Sequence, residues 1–133
     1  MVQPLPEKHR VWAWSAKGEP ASLRMEVRAR PIPAPGEILV ANLAIGLNPV
    51  DWKIIEWGHS AWTPGHVPGV DGIGVIAATG DGVRLPTGRK VAYHQSLARN
   101  GSFAEFTTID ARSAIPISAD IDNALAAACP VPA

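Results

Sequence analysis

Cysteine occurs once in the 133 residues, at Cys129, so the chain can form neither an internal disulfide nor a thiolate zinc cluster. That usage suits a reducing, cytoplasmic setting. A charge bias is also missing: 12 Lys and Arg balance 12 Asp and Glu. The densest basic stretch, residues 24–30, contains Glu26 and alternates with apolar residues. Binding to nucleic acid requires clustered positive charge to neutralise phosphates, so no nucleic-acid partner is expected. The longest apolar run, residues 38–47, is interrupted by Asn42 and Gly46. A bilayer-spanning helix needs about 20 apolar residues, so no membrane partner is expected either. The opening MVQPLPEKHR lacks the apolar core of a secretory signal.

What is present reads as one globular domain. The hydrophobic fraction is 47% and the charged fraction 18%, ordinary proportions for a packed core under a polar surface. The 12 glycines and 13 prolines are spread along the chain, where they punctuate short strands and turns. Residues 1–9 form a polar, proline-containing end, and residues 11–14 a short strand. Leu23, Met25, Val27 and Ala29 alternate with Arg24, Glu26, Arg28 and Arg30, the period-two signature of a half-buried strand. A second long strand covers residues 37–47.

The period then changes. Asn48-Pro49-Val50-Asp51 has helix-start chemistry, with Asn at the N-cap, Pro at the first helical position and Asp at the third. Gly58 ends that helix. Further strands are expected over residues 70–79, 90–95 and 103–109, and a short Ala- and Leu-rich helix over residues 124–129. Strands joined by tight turns, with two short helices, indicate a small barrel or sandwich.

Several segments bear on chemistry. Gly72-Ile73-Gly74-Val75-Ile76-Ala77 matches the G-x-G-x-x-A dinucleotide fingerprint. That motif works only between a strand and a helix, and β-branched residues followed by the Gly80-Asp81-Gly82 turn leave no room for the helix. The glycines therefore belong to a bent strand. His59 and His66 share a loop without a carboxylate or thiol at ligand spacing, so no metal site is assigned. Nothing near Cys129 in sequence would activate its thiol. The strongest local signal is Asn48-Pro49-Val50-Asp51-Trp52-Lys53: beyond its capping chemistry, a helix opening after an apolar strand can line a cleft, with Lys53 as a cation and Trp57 as an apolar wall.

These residues, with three other stretches, resemble the N-terminal GroES-like catalytic domain of the medium-chain dehydrogenase/reductase superfamily, most closely its zinc-free quinone oxidoreductase branch. The first is Pro35-Gly36-Glu37-Ile38-Leu39-Val40. The second is Gly46-Leu47 running into the Asn48 motif. The third is Val67-Pro68-Gly69-Val70-Asp71-Gly72-Ile73-Gly74, with Thr87-Gly88-Arg89-Lys90-Val91-Ala92 beyond it, and the fourth is Gly101-Ser102-Phe103-Ala104-Glu105-Phe106. Their order covers the chain from about Arg10 onward.

The resemblance implies a mainly β fold, a partly open GroES-like barrel with short helices. It implies a catalytic domain over residues 10–117 and the start, over residues 118–133, of a helix leading to a Rossmann cofactor domain that this chain is expected to lack. It further implies hydride transfer from NADP(H) to a small electron acceptor, a quinone or an activated alkene or carbonyl, with little activity and no tight cofactor binding by the chain alone. Zinc-dependent relatives place Cys where Asn48 stands and a His-Glu pair where Val70-Asp71 stand, so no zinc is expected. Asn48 is expected at the nicotinamide and the substrate, Lys53 near the same cleft, and Tyr93 and Gln95 along the cofactor. Lys53 replaces an aromatic of the family, so no specific role is assigned to it, and no residue is assigned as proton donor. Two alternatives stay open: a non-catalytic binding or assembly module that keeps only the fold, and a zinc-type alcohol dehydrogenase relative that has lost its metal ligands. The expected partners are the acceptor, the missing domain, and a second copy of the chain held through an exposed apolar face.

Overall fold

The computed structural model describes residues 4–123. Seven strands and one α-helix organise it: β1 (Lys8–Ala13), β2 (Arg24–Ala29), β3 (Glu37–Gly46), α1 (Pro49–Trp57), β4 (Asp71–Thr79), β5 (Lys90–His94), β6 (Phe106–Asp110) and β7 (Ala114–Pro116). One sheet pairs β1 with β2, and the other runs β6-β3-β4-β5-β7. All pairings are antiparallel. The fold is mainly β, as expected, and its two open sheets agree with the partly open barrel expected from the sequence. The helix expected over residues 124–129, and Cys129 with it, lie outside the described residues.

Apolar residues on the long strands form the centre of the larger sheet. Ile38 and Val40 of β3, Ile76 of β4, Val91 and Tyr93 of β5 and Ile109 of β6 pack together, each exposed by 1% or less. Burying one such side chain stabilises by roughly 1.5–3 kcal/mol. A second cluster gathers Val11, Ala13 and Trp14 against Ile55 of α1 and against Trp62, Val67 and Phe103. Trp62 and Trp14 meet edge to face with centroids 5.4 Å apart, a geometry aromatic quadrupoles favour. This second cluster ties α1 to the small sheet.

Backbone contacts join the two sheets. The Trp12 amide donates to the Phe103 carbonyl at 2.8 Å, and the Glu105 amide to the Arg10 carbonyl at 3.0 Å. The segment around residues 102–105 thus covers one edge of β1, and it also lies on residues 67–69. The Phe103 amide donates to the Pro68 carbonyl, and the Gly101 amide to that of Val67. A Cβ on Gly69 would stand 2.4 Å from Ser102 Oγ, and its φ is +106°, so crowding and backbone conformation both require glycine there. Two of the sequence motifs are therefore one packing unit.

Two local readings change. The apolar residues of β2 do not form a buried face: Met25 is 49% and Val27 64% exposed. β2 pairs only with β1 among the described residues, and no second layer covers it. β1 starts at Lys8, inside the end expected to be loose, because the His9 ring is buried and accepts the Phe106 amide at 3.2 Å. The dinucleotide-like glycines lie in β4, in agreement with the sequence reading. A Cβ on Gly72 would come within 2.5 Å of the Tyr93 ring, so that glycine makes room for a core aromatic.

Candidate active site at one end of the larger sheet

Three strand ends converge to build the site. In the register of the sheet, Gly46 at the end of β3 stands opposite Asp71 at the start of β4, and Asp71 stands opposite His94 at the end of β5. Directly opposed residues on antiparallel strands place their side chains on one face. Asn48 follows β3 by two residues as the N-cap of α1.

The side chains meet on one carboxylate. Asn48 Nδ2 donates to Asp71 Oδ2, and His94 Nδ1 lies 2.9 Å from Asp71 Oδ1. Both oxygens of Asp71 are thus used, and its side chain is only 8% exposed, whereas that of His94 is 56% exposed. Asp51 lies behind the group. Its Oδ2 accepts the Asn48 amide at 2.8 Å, the capping contact expected from the sequence. Its Oδ1 is buried without a partner. Burial pushes the Asp51 carboxyl above the usual range; the Asn48 and Val70 amides act against that shift, and the charge of Asp71 adds to it.

The remaining residues expected at the site make their side-chain contacts elsewhere than on this carboxylate. Lys53 is exposed on α1, its ammonium 5.7 Å from the Trp52 ring centroid, and Trp57 is exposed near the end of the helix. Tyr93 has no exposed surface, and its hydroxyl donates to Asn42 Oδ1 at 2.6 Å. Asn42 in turn donates to the Ala104 carbonyl and to Thr107. Burial holds the Tyr93 phenol far above its ordinary value. Gln95 is buried and donates to the carbonyls of Asn100 and Thr108. Tyr93 and Gln95 therefore flank His94 from within the protein, with these polar atoms bonded inside it. Asn48 is the expected site residue that bonds Asp71, the carboxylate it shares with His94. Among the described residues, no group of three or more His, Cys, Asp and Glu side chains could hold a metal ion.

The family profile of the alcohol dehydrogenase GroES-like domain matches residues 34–119. The chain belongs to that family. As a GroES-like domain of the medium-chain dehydrogenase/reductase type, it is related to oxidoreductases. It is 42% identical over 78 residues to the trans-enoyl reductase FMN2 of Fusarium mangiferae, a match covering 58% of this chain and 20% of that protein. It is 29% identical over 116 residues to a probable quinone oxidoreductase of Schizosaccharomyces pombe, covering 86% of this chain and 34% of that protein. The solved structure of mycobacterial Rv1454c complexed with NADPH superposes with a TM-score of 0.80 at 28% identity, over 90% of this chain and 35% of that one. The GroES-like domain thus spans a fifth to a third of the length of these curated relatives.

Proposed function

We propose that the chain is the acceptor-side domain of an NADP(H)-dependent, zinc-independent reductase of activated alkenes or quinones. The observation that carries this reading is the Asn48, Asp71 and His94 cluster at the sheet end, where a half-buried amide and an exposed imidazole share one carboxylate. In zinc-dependent relatives the positions of Asn48 and Val70 hold metal ligands. Here the first is an amide bonded to Asp71 and the second a buried aliphatic side chain. Such a set suits a carbonyl or a carboxamide better than a metal ion, since neither residue offers a thiolate or an imidazole. The names of the curated relatives, an enoyl reductase and a quinone oxidoreductase, support the choice of acceptor.

When bound, NADPH supplies the hydride. The residues of this chain orient and polarise. Asn48, fixed by Asp71 and by the α1 cap, is placed to hold the nicotinamide carboxamide or the acceptor carbonyl. Tyr93 and Gln95 act on the cofactor side from below, by fixing β5 and the turn after it. Lys53, exposed on α1 five residues after Asn48, supplies positive charge on the helix that Asn48 caps. A rigid scaffold of this kind lowers the cost of bringing two reactants together.

The test is NADPH consumption by the full protein across a panel of enones, enoyl thioesters and small quinones, with and without a metal chelator. Turnover that survives chelation supports the reading. No turnover with any acceptor contradicts it, and loss of turnover on chelation contradicts zinc independence.

A further inference from the structure

We infer that His94 is the proton donor that completes reduction of the acceptor, with Asp71 and Asn48 as its positioning residues; this rests on the proposed function. The four histidines of the chain have different surroundings. His9 is buried and accepts the Phe106 amide. His66 is buried and stacked on Trp62, with centroids 4.4 Å apart. His59 accepts the Ala61 amide at 3.0 Å. Among the described residues, His94 is the histidine paired with a carboxylate, and its side chain is 56% exposed.

Chemistry assigns the ring nitrogens. Asp71 already accepts Asn48 at Oδ2; as an ionised carboxylate it can only accept at Oδ1 as well, so His94 Nδ1 carries hydrogen. The other nitrogen, Nε2, is left for solvent or a ligand. Asn48 fixes the carboxylate, the carboxylate fixes the ring, and the register of β4 and β5 fixes both. An imidazole held in this way by a second group matches the general arrangement of an acid–base catalyst.

For an enone the step balances as follows. The hydride of NADPH forms a C–H bond at the β-carbon, the alkene π pair moves onto the carbonyl oxygen as an enolate, and NADPH becomes NADP⁺. His94 Nε2–H transfers its proton to the enolate oxygen, which gives an enol that tautomerises to the saturated ketone. The neutral ring regains its proton from water at its exposed edge. The charged groups facing the ring are Asp71 of β4, in contact with it, and Asp51 of α1 behind Asp71.

The test compares the unaltered full protein with His94→Gln and Asp71→Asn, using NADPH and a small enone. His94→Gln should lose about 100-fold in kcat, the lower end of general acid contributions, with little change in KM for the enone. Asp71→Asn, which removes the carboxylate that holds Nδ1, should also lower kcat more than it changes KM. Nitrogen NMR of the His94 ring should show hydrogen at Nδ1 in the unaltered protein and a changed tautomer population in Asp71→Asn, without any turnover. A His94→Gln protein that retains the rate overturns the assignment. So does a His94 ring whose tautomer is untouched by Asp71→Asn, a readout that survives even where His94→Gln fails to fold. No enone or quinone reduction by the unaltered protein overturns the proposed function instead.

Discussion

His66 shows how a single residue carries pH dependence. Its ring stacks on buried Trp62 and is 9% exposed, with Nε2 buried and unpartnered. Burial, with the charge of His59 adding to it, lowers its pKa to about 4. The folded state thus holds a neutral ring where the unfolded chain takes up a proton near pH 6.5. Above that pH neither state binds the proton, and His66 costs nothing. As pH falls from 6.5 towards 4 the unfolded state gains protons first and stability declines, by up to about 3 kcal/mol. Replacing His66 with Phe keeps the ring stack and removes the titration. Urea melts at pH 7 and 4.5 should therefore show a smaller loss of stability for the variant; an equal loss would contradict the assignment. The pairing of Asp71 with His94 lies at this scale too, and it was not legible in the sequence. The two residues are separated by 23 positions, and the strand register alone brings them together. The Asn48 and Asp51 cap was legible, because its partners are three residues apart.

At the scale of elements, local signals read well where burial followed them. Residues 49–57 carry a proline start, an N-terminal acid and a glycine stop, and α1 has those bounds. β3 and β4 follow their apolar runs. The alternation in β2 was equally clear and described the strand correctly, but its burial depends on a covering layer that no local pattern encodes. β7 is three residues long and forms through its pairing with β5, so there was little local pattern to read. β4 also explains its own glycines. Gly72→Ala drives a Cβ into the Tyr93 ring and should cost about 2–3 kcal/mol by overpacking, measured as a lower denaturation midpoint. Unchanged stability would mean that β5 can move away from β4 at that point.

At the scale of the molecule, exposed apolar side chains line the surface beside β1 and β3. Trp12, Met25 and Leu43 line one groove of about 380 Å³, and each is 43% to 52% exposed. Trp12 also lines the adjoining groove with Leu23 and Leu47. A contiguous apolar face of this kind favours association. The 133-residue chain by itself should form dimers or larger species, and Trp12→Glu with Leu43→Glu should weaken them at least about tenfold, a shift of about 1.4 kcal/mol. Sedimentation velocity over a concentration series decides this, and a monomer at all concentrations would contradict it. The fold class was legible because four motifs recur in fixed order, and the structure shows why two of them depend on each other: Gly69 in the third is closed over by Ser102 and Phe103 in the fourth. The acceptor was not legible, because its pocket depends on surfaces brought together only by folding.

Hydride transfer is the centre of the functional reading, and isotope transfer tests it most directly. The full protein would be given an enone with NADPH carrying deuterium at both C4 positions of the nicotinamide, and the product examined by NMR. Hydride transfer puts deuterium at the β-carbon of the saturated ketone and a solvent proton at the α-carbon. Deuterium absent from the product, or no reduced product at all, would contradict it.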